Sequence, residues 1–113
     1  MYKWNKKEYK CPIELTIDIL GGKWRSLILW HLNIEVLRFT EIRKIVPGIS
    51  KKVLSEHLRE LEKNGLIERK IYPEVPPKVE YKITEKGKEL AEILNLMEKW
   101  GQNILEKEGE KIE

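Results

Sequence analysis

The sequence is poor in the residues that crosslink a chain or bind a transition metal. Its 113 residues include one cysteine, Cys11, and two histidines, His31 and His57. A single cysteine cannot form a disulfide within the chain, and the ligands of a Cys/His zinc site are missing. The longest apolar run, Leu27 to Trp30, is far shorter than the roughly 20 residues of a membrane-spanning helix. We therefore expect no metal site and no membrane association.

Signals of catalysis are equally scarce. No glycine-rich phosphate loop follows a candidate strand, and no nucleophile is spaced beside a general base. Packing explains both histidines better than ligand binding does. The sequence thus predicts a protein that is not an enzyme and needs no cofactor. The first ten residues are polar and aromatic and lack the apolar core of a signal peptide, so we expect a cytoplasmic location.

The charge is unevenly distributed, although the net charge is only +3. Basic and acidic residues number six and four in residues 1–37, eleven and seven in residues 38–83, and five and eight in residues 84–113. The middle segment is therefore the most positive part of the chain, and the last segment is negative. A polyanionic partner would bind the middle segment most favourably.

The first third of the chain predicts an arm followed by two helices. Residues 1–11 should form a polar arm. Pro12 suits the first turn of a helix, where its missing N–H is not needed. The apolar residues of this helix recur on one helical face: Ile13, Ile17 and Leu20. Gly21-Gly22 should end it, and a largely apolar second helix should begin near Lys23. Residues 37–39 are a candidate for a short extended segment.

The middle of the chain predicts a helix-turn-helix. A short helix over Glu41–Val46 is broken by Pro47-Gly48, and Ser50 is a good N-cap for the next helix. That helix should run over Lys51–Asn64, with one apolar face made by Leu54, Leu58 and Leu61. Gly65 then favours a helix stop.

A hairpin and a long helix should complete the chain. Alternation of period two predicts two strands, with Ile67, Arg69 and Ile71 on one face of the first and Val79, Tyr81 and Ile83 on one face of the second. Residues 73–77, rich in proline, should form the tip between them. Thr84 can cap a helix that runs to about Lys107. The expected fold is one mainly α domain over residues 1–113 with a small β-hairpin wing (α+β), a winged helix-turn-helix whose reading unit is 39–83.

This layout suits duplex DNA. A helix fits the major groove, which is about 12 Å wide, and its N-terminal turn normally enters deepest. Lysine and arginine can donate to guanine or to phosphate, and the sequence does not distinguish the two. Ordinary solvated surface charge is the alternative for each residue. The predicted DNA contacts are Thr40, Arg43, Ser50, Lys51, Lys52, Ser55, Arg59, Arg69, Lys70 and Lys78.

Several blocks of the sequence resemble the HxlR family of bacterial and archaeal regulators. They are Gly21-Gly22-Lys23-Trp24, residues 38–42, residues 47–50, residues 58–67, residues 72–81 and Thr84-Glu85-Lys86-Gly87, in family order from Cys11 to about Leu105. The resemblance implies a MarR-like homodimeric transcription factor that binds a palindromic operator. It also implies groove reading by the helix that starts at Ser50 and dimerisation through the terminal helices, the last over residues 84–107.

The final helix has more apolar residues than one small domain needs on a single face. A dimer interface is therefore expected, formed by Trp4, Ile13, Ile17, Leu90, Leu94, Met97, Trp100 and Ile104. A helix packed wholly on its own core is the alternative. Some members of the resembled family sense oxidants or electrophiles through a cysteine at the Cys-Pro position that Cys11 matches. A helix N-terminus and the neighbouring Lys10 favour the reactive thiolate, although a small packed structural cysteine is the more ordinary interpretation.

The sequence leaves two other functions open. Winged helices can also bind proteins without reading DNA, but such a version should expose apolar residues where this chain has Lys51, Lys52 and Arg59. An unknown small-molecule effector could bind in a pocket lined by Trp24, Trp30, Tyr81 and Trp100, although core packing of these rings is the simpler interpretation.

Overall fold

The helix and strand signals of the sequence appear at nearly the expected positions in a computed structural model that describes residues 1–112. The elements in chain order are β1 (Tyr2–Trp4), β2 (Lys7–Tyr9), α1 (Pro12–Leu20), α2 (Lys23–Ile34), α3 (Phe39–Ile45), α4 (Lys51–Lys63), β3 (Ile67–Tyr72), β4 (Lys78–Ile83) and α5 (Glu85–Glu108). A mainly α chain with a small hairpin wing is confirmed.

The core lies between α2, α3, α4, the base of the β3–β4 hairpin and the first half of α5. Burial of apolar side chains there is the main favourable contribution to folding. The most deeply buried residues are Ile28, Leu29, Ile42, Val46, Leu54, Leu61, Leu66, Ile67 and Ala91. Because α5 passes over the hairpin base, a Cβ on Gly87 would meet the carbonyl oxygen of Leu66 and the side chain of Ile83.

Local capping explains where the helices begin and end. Gly21 adopts φ +57° and its N–H donates to the carbonyl oxygen of Ile17, which ends α1. Ser50 Oγ accepts from the N–H of Val53 at 3.1 Å and so starts α4. Thr84 Oγ1 accepts from the N–H of Gly87 at 3.1 Å and starts α5.

The segment predicted as a polar arm, residues 1–11, is mostly exposed but has a regular structure that the prediction did not include. Most of that segment forms the antiparallel pair β1–β2, whose turn places Asn5 and Lys6 at positive φ. Tyr9 is buried, and its hydroxyl donates to Asp18 Oδ2 at 2.7 Å. Lys7 Nζ also lies 2.7 Å from Asp18 Oδ2. These two contacts lower the pKa of Asp18 below its ordinary value, and the contact with Lys7 has the larger effect.

The extended segment predicted for residues 37–39 is correct only at its start. Leu37 pairs with Tyr81 as an isolated antiparallel bridge, but Phe39 is already the first residue of α3. The helix begins two residues before Glu41 because the Glu41 carboxylate accepts from the N–H of Arg38 at 2.8 Å. This carboxylate satisfies a backbone donor at the helix start that has no intrahelical partner.

The alternating pattern of the wing predicts one buried apolar face along its whole length, but only the base of the wing is buried. Its register pairs Ile67 with Ile83 at the base and Ile71 with Val79 farther out. Ile67 and Ile83 are buried, but Ile71 is 59% exposed because no element covers the outer part of the hairpin. The tip at residues 73–77 lies between the strands, as predicted.

The long helix α5 has two different halves. Its buried residues are Gly87, Ala91 and Leu94, and no residue from 95 to 108 is buried. Leu94, predicted as a dimer contact, is 4% exposed and packs in the core of its own protomer, so it has almost no surface left for a partner. Among the helices within residues 1–112, none is both long and apolar enough to cross a membrane.

Candidate nucleic-acid interface

The helix α4 has a buried leucine face and an exposed cationic edge. Leu54, Leu58 and Leu61 are at most 2% exposed and fix the orientation of the helix. Lys51, Lys52 and Arg59 are exposed on the remaining surface, and Ser55 is half-buried beside them. We call Lys51, Lys52 and Arg59 the cationic edge. The leucine face leaves this edge free for a polyanion.

The turn between α3 and α4 is braced by side chains from both sides. Gly48 adopts φ +90°, and a Cβ built there would lie 3.8 Å from Trp24 Cη2. Arg43 Nε donates to the carbonyl oxygen of Ile49 at 3.4 Å. Arg43, a predicted DNA contact, is therefore partly engaged in holding the turn. Thr40, also predicted, is exposed on the first turn of α3.

One face of the wing holds two lysines against a tyrosine ring. Lys70 Nζ and Lys78 Nζ each lie 4.8 Å from the centre of the Tyr72 ring. The Tyr72 hydroxyl donates to Glu80 Oε1 at 2.7 Å, and this hydrogen bond is the main reason that the pKa of Glu80 is lowered. Lys78 Nζ also lies 3.7 Å from Glu80 Oε2. The two lysines are thus preorganised, but Lys78 is partly neutralised.

Arg69 lies on the opposite face of the wing from Lys70, because successive side chains of a strand alternate between the two faces; its cross-strand partner is Tyr81. Its Nε is 3.9 Å from Glu62 Oε2 of α4. A cleft of about 400 Å³ opens here between α4 and the wing, lined mainly by polar side chains that include Ser55, Arg59, Glu62 and Arg69. The predicted DNA contacts therefore fall into four groups: Thr40 and Arg43 on α3, Ser50, Lys51 and Lys52 at the start of α4, Ser55, Arg59 and Arg69 in this cleft, and Lys70 and Lys78 on the other face of the wing.

Sequence patterns do not identify the residues that hold these groups in place. Strand alternation marks Tyr72 only as a strand residue, although its position opposite Lys78 is a cross-strand signal. Glu62 and Glu80, which pair with Arg69 and Lys78, are missed as well. Because these pairs depend on the relative placement of α4 and the wing, helical or strand periodicity alone cannot indicate them.

A second surface is apolar and lies on α1, α2 and α5. None of the residues of α1 is buried, and Ile13 and Ile17 are 66% and 61% exposed. Met97 and Trp100 of α5 are 53% and 70% exposed. A shallow apolar concavity of about 320 Å³ between α2 and α5 is lined by residues that include Leu27, Trp30 and Met97.

The remaining residues predicted at the dimer interface, Trp4, Leu90 and Ile104, are half-buried. Trp4 lies near Lys86, whose Nζ is 5.7 Å from the ring centre. The four rings considered for an effector pocket do not share one environment. Trp24, Trp30 and Tyr81 pack partly buried against the core, whereas Trp100 stands exposed on α5.

Cys11 is exposed at the N-cap position of α1. Its carbonyl oxygen accepts from the N–H of Glu14 at 3.0 Å, while its side chain makes no capping bond. Residues 1–112 contain no group of three or more His, Cys, Asp or Glu side chains arranged to hold a metal ion.

A helix-turn-helix followed by a wing, with a cationic edge on the second helix of the motif, defines a DNA-binding regulator of transcription. The family model described as HxlR-like helix-turn-helix matches residues 19–109. The chain belongs to the HxlR family, as its sequence blocks indicated. Relatives of this chain are named as regulators of transcription, a class that is generally not catalytic.

Individual relatives agree with this assignment. MalR of Fusobacterium mortiferum is 56% identical over 98 residues, which are 86% of this chain and 92% of MalR. An HTH-type transcriptional regulator of Methanothermobacter thermautotrophicus is 48% identical over 107 residues, which are 92% of this chain and 82% of that protein. The structure of the redox regulator HypR in its oxidised form superposes with a TM-score of 0.79 at 44% identity, covering 82% of this chain and 96% of HypR.

Proposed function

We propose that this regulator binds a palindromic duplex operator as a homodimer, with the start of α4 in the major groove and the wing beside it. The observation that carries the proposal is the exposed cationic edge of a helix whose orientation is fixed by buried leucines on another face. Phosphate contacts from this edge would release counterions, so operator affinity should fall steeply as the salt concentration rises.

The homodimer is supported by the exposed apolar surface on α1 and α5. Ile13, Ile17, Met97 and Trp100 are each more than half exposed, and large exposed apolar patches mark interaction sites in soluble proteins. A second copy of the chain would bury this surface on both protomers through one self-complementary contact. Two copies of α4 would then face half-sites about one helical turn apart on the duplex.

The DNA-binding part is tested with two double variants. Lys51→Ala with Lys52→Ala should abolish binding to a duplex selected from random sequences while leaving the dimer intact in sedimentation. Lys107→Ala with Lys111→Ala removes the same charge from the end of the chain and should retain most of the binding. If the first variant loses the dimer but keeps DNA binding, the two surfaces have been assigned the wrong way round. If no duplex is selected at all, the protein-interaction alternative replaces this proposal.

A redox or electrophile signal at Cys11 is the regulatory part of the proposal. It is supported by the exposed thiol at the start of α1 and by the structural similarity to the redox regulator HypR. An electrophilic alkene would bond to the sulfur through one carbon, while the S–H bond and the C=C π bond break and the thiol proton passes to the other carbon. Alkylation at neutral pH should change operator affinity in the wild type and leave Cys11→Ala unaffected. Unchanged affinity in the alkylated wild type would remove Cys11 from the regulatory scheme.

A further inference from the structure

The first turn of α2 lies beside the helix-turn-helix and is bonded to it at one point. Trp24 Cη2 faces Gly48 in the turn between α3 and α4, 3.8 Å from the position that a Cβ on Gly48 would take. One residue later, Arg25 Nε donates to His57 Nδ1 at 3.0 Å, a hydrogen bond between side chains that are 32 residues apart. Both partners are half-buried. The start of α2 is thus bonded to the middle of α4 and lies next to the turn that precedes it.

The Arg25 side chain takes this path because Gly21 has no side chain. A Cβ built on Gly21 would lie 2.8 Å from Cδ, Nε and Nη1 of Arg25, closer than real Cβ contacts allow. The glycine that ends α1 therefore also leaves room for the arginine that bonds to α4. Gly21 thus has two roles: it ends α1 and it leaves space for the Arg25 side chain.

His57 lies on the side of α4 away from the proposed DNA contacts. At 3.6 residues per turn, it is about 200° around the helix axis from Arg59. A bond at His57 can therefore hold the rotation of α4 without occupying the cationic edge. A change in that rotation would displace Lys51, Lys52 and Arg59 together.

The hydrogen bond requires His57 to be neutral. Nδ1 must offer a lone pair to the guanidinium, which leaves the ring proton on Nε2. Burial and then the Arg25 charge lower the pKa of His57, and Glu56 on α4 opposes them. These are the charged groups that act on the ring, Arg25 from α2 and Glu56 from its own helix. Protonation would turn the acceptor into a donor that faces another cation.

We propose that Arg25 and neutral His57 are positioning residues for DNA reading, whose hydrogen bond fixes the rotation of α4 relative to α2 and is released when His57 takes up a proton. The inference rests on the proposed function in one respect, that α4 reads the duplex. It adds that acid weakens specific reading. The positive charge that His57 gains on protonation would by itself strengthen binding to DNA phosphates. Loss of the hydrogen bond should weaken specific binding, so the two effects of protonation on DNA affinity have opposite signs.

The experiment measures the affinity of the full-length protein for a selected duplex and for a scrambled duplex, at fixed ionic strength from pH 7.5 to 5.0. Wild-type affinity for the selected duplex should fall about tenfold over this range, while affinity for the scrambled duplex should not fall. His57→Asn places a carbonyl oxygen near the position of Nδ1 and cannot be protonated in this range. It should keep the affinity measured at pH 7.5 and lose the pH dependence.

Arg25→Ala should bind about tenfold more weakly already at pH 7.5 and should also show a flat pH profile. The matched control is Lys23→Ala, which removes the same charge from the same helical turn, where the Lys23 amine stacks on the Trp24 ring. It should keep the acid sensitivity. His31→Gln, which removes the other histidine, should also keep it.

A readout without DNA guards against variants that fold poorly. In a titration of the histidine ring signals by NMR, Arg25→Ala should raise the midpoint of His57 and leave that of His31 unchanged. The inference is overturned if Arg25→Ala binds like Lys23→Ala, if His57→Asn keeps the wild-type pH dependence, or if the His57 midpoint does not move. Failure of the wild type to select any duplex at pH 7.5 would instead overturn the proposed function and this inference with it.

Discussion

The helices α1 and α4 use their apolar residues in opposite ways. In α4, the residues at i, i+4 and i+7 of one face, Leu54, Leu58 and Leu61, are all buried within the protomer. In α1, the residues of the same spacing include Ile13 and Ile17, which remain mostly exposed. The same periodicity thus indicates core packing in one helix and an uncovered surface in the other. A partner is the simplest explanation of the second case.

The largest expected effect is on stability, from truncation in α4. Leu54→Ala removes a side chain that is fully buried in the core and should cost about 3 kcal/mol of unfolding free energy. Denaturant unfolding of both proteins measures it. The matched truncation Ile17→Ala removes an exposed side chain, so its effect should be small and should depend on protein concentration, since it acts through the dimer. If both variants lost the same stability at every protein concentration, the proposed difference between α1 and α4 would be contradicted.

The next effect is on self-association. Ile17→Glu places a charge in the apolar surface of α1, where dimerisation would bury it, and should weaken the dimer at least about tenfold. Sedimentation across a range of protein concentrations provides the measurement. Glu56→Gln, a charge change of similar exposure on α4, serves as the control and should leave association unchanged. A fully dimeric Ile17→Glu protein would exclude α1 from the interface.

A third prediction concerns how the stability of the fold depends on pH through the two histidines of α2 and α4. His31 in α2 and His57 in α4 both have a pKa lowered from 6.5, in each case mainly by burial. The unfolded chain therefore takes up these protons first as the pH falls, and stability should decline below about pH 6.5 and level off below the folded pKa values. Urea unfolding from pH 7.5 to 5.0 should show this decline. The variant His31→Gln with His57→Asn should show little of it.

The smallest expected effects come from the helix caps. Ser50→Ala removes the hydroxyl that accepts from Val53 and should destabilise the protein by about 1 kcal/mol. Cys11 occupies the equivalent position of α1 without a capping bond, so Cys11→Ser should stabilise slightly, by about 0.5 kcal/mol. Thermal unfolding distinguishes the two signs. A destabilised Cys11→Ser protein would mean that the thiol is already packed against something that serine cannot replace.

The sequence alone predicts those elements that have strong local signals. Ser50, Gly65 and Thr84 mark helix ends, and the prolines of residues 73–77 mark the wing tip, because each residue type restricts the backbone or satisfies a terminal N–H. The helical spacing that predicts the buried leucine face of α4 also predicts which residues of α4 form the cationic edge. Its side chains are therefore predictable from the spacing of the residues alone.

The features that periodicity misses depend on contacts between distant segments. The β1–β2 hairpin has three-residue strands and a turn of Asn5 and Lys6 without glycine, so nothing local distinguishes it from an arm. It is held by Tyr9 against Asp18 and by Asn5 Nδ2, which donates to Asn64 Oδ1 at 3.2 Å from 59 residues away. The burial of Leu94 likewise follows from how α5 packs against α2, which periodicity does not encode.

Two copies of this chain should present the cationic edges of their α4 helices to one duplex. The decisive measurement is repeated selection of the wild-type protein on random duplexes, followed by footprinting of the enriched sequence. We expect a palindrome with two protected half-sites whose centres lie about one helical turn, or roughly 10–10.5 base pairs, apart. The proposed homodimeric mode of binding fails if no sequence is enriched, or if the enriched sequence holds a single half-site protected by one protomer.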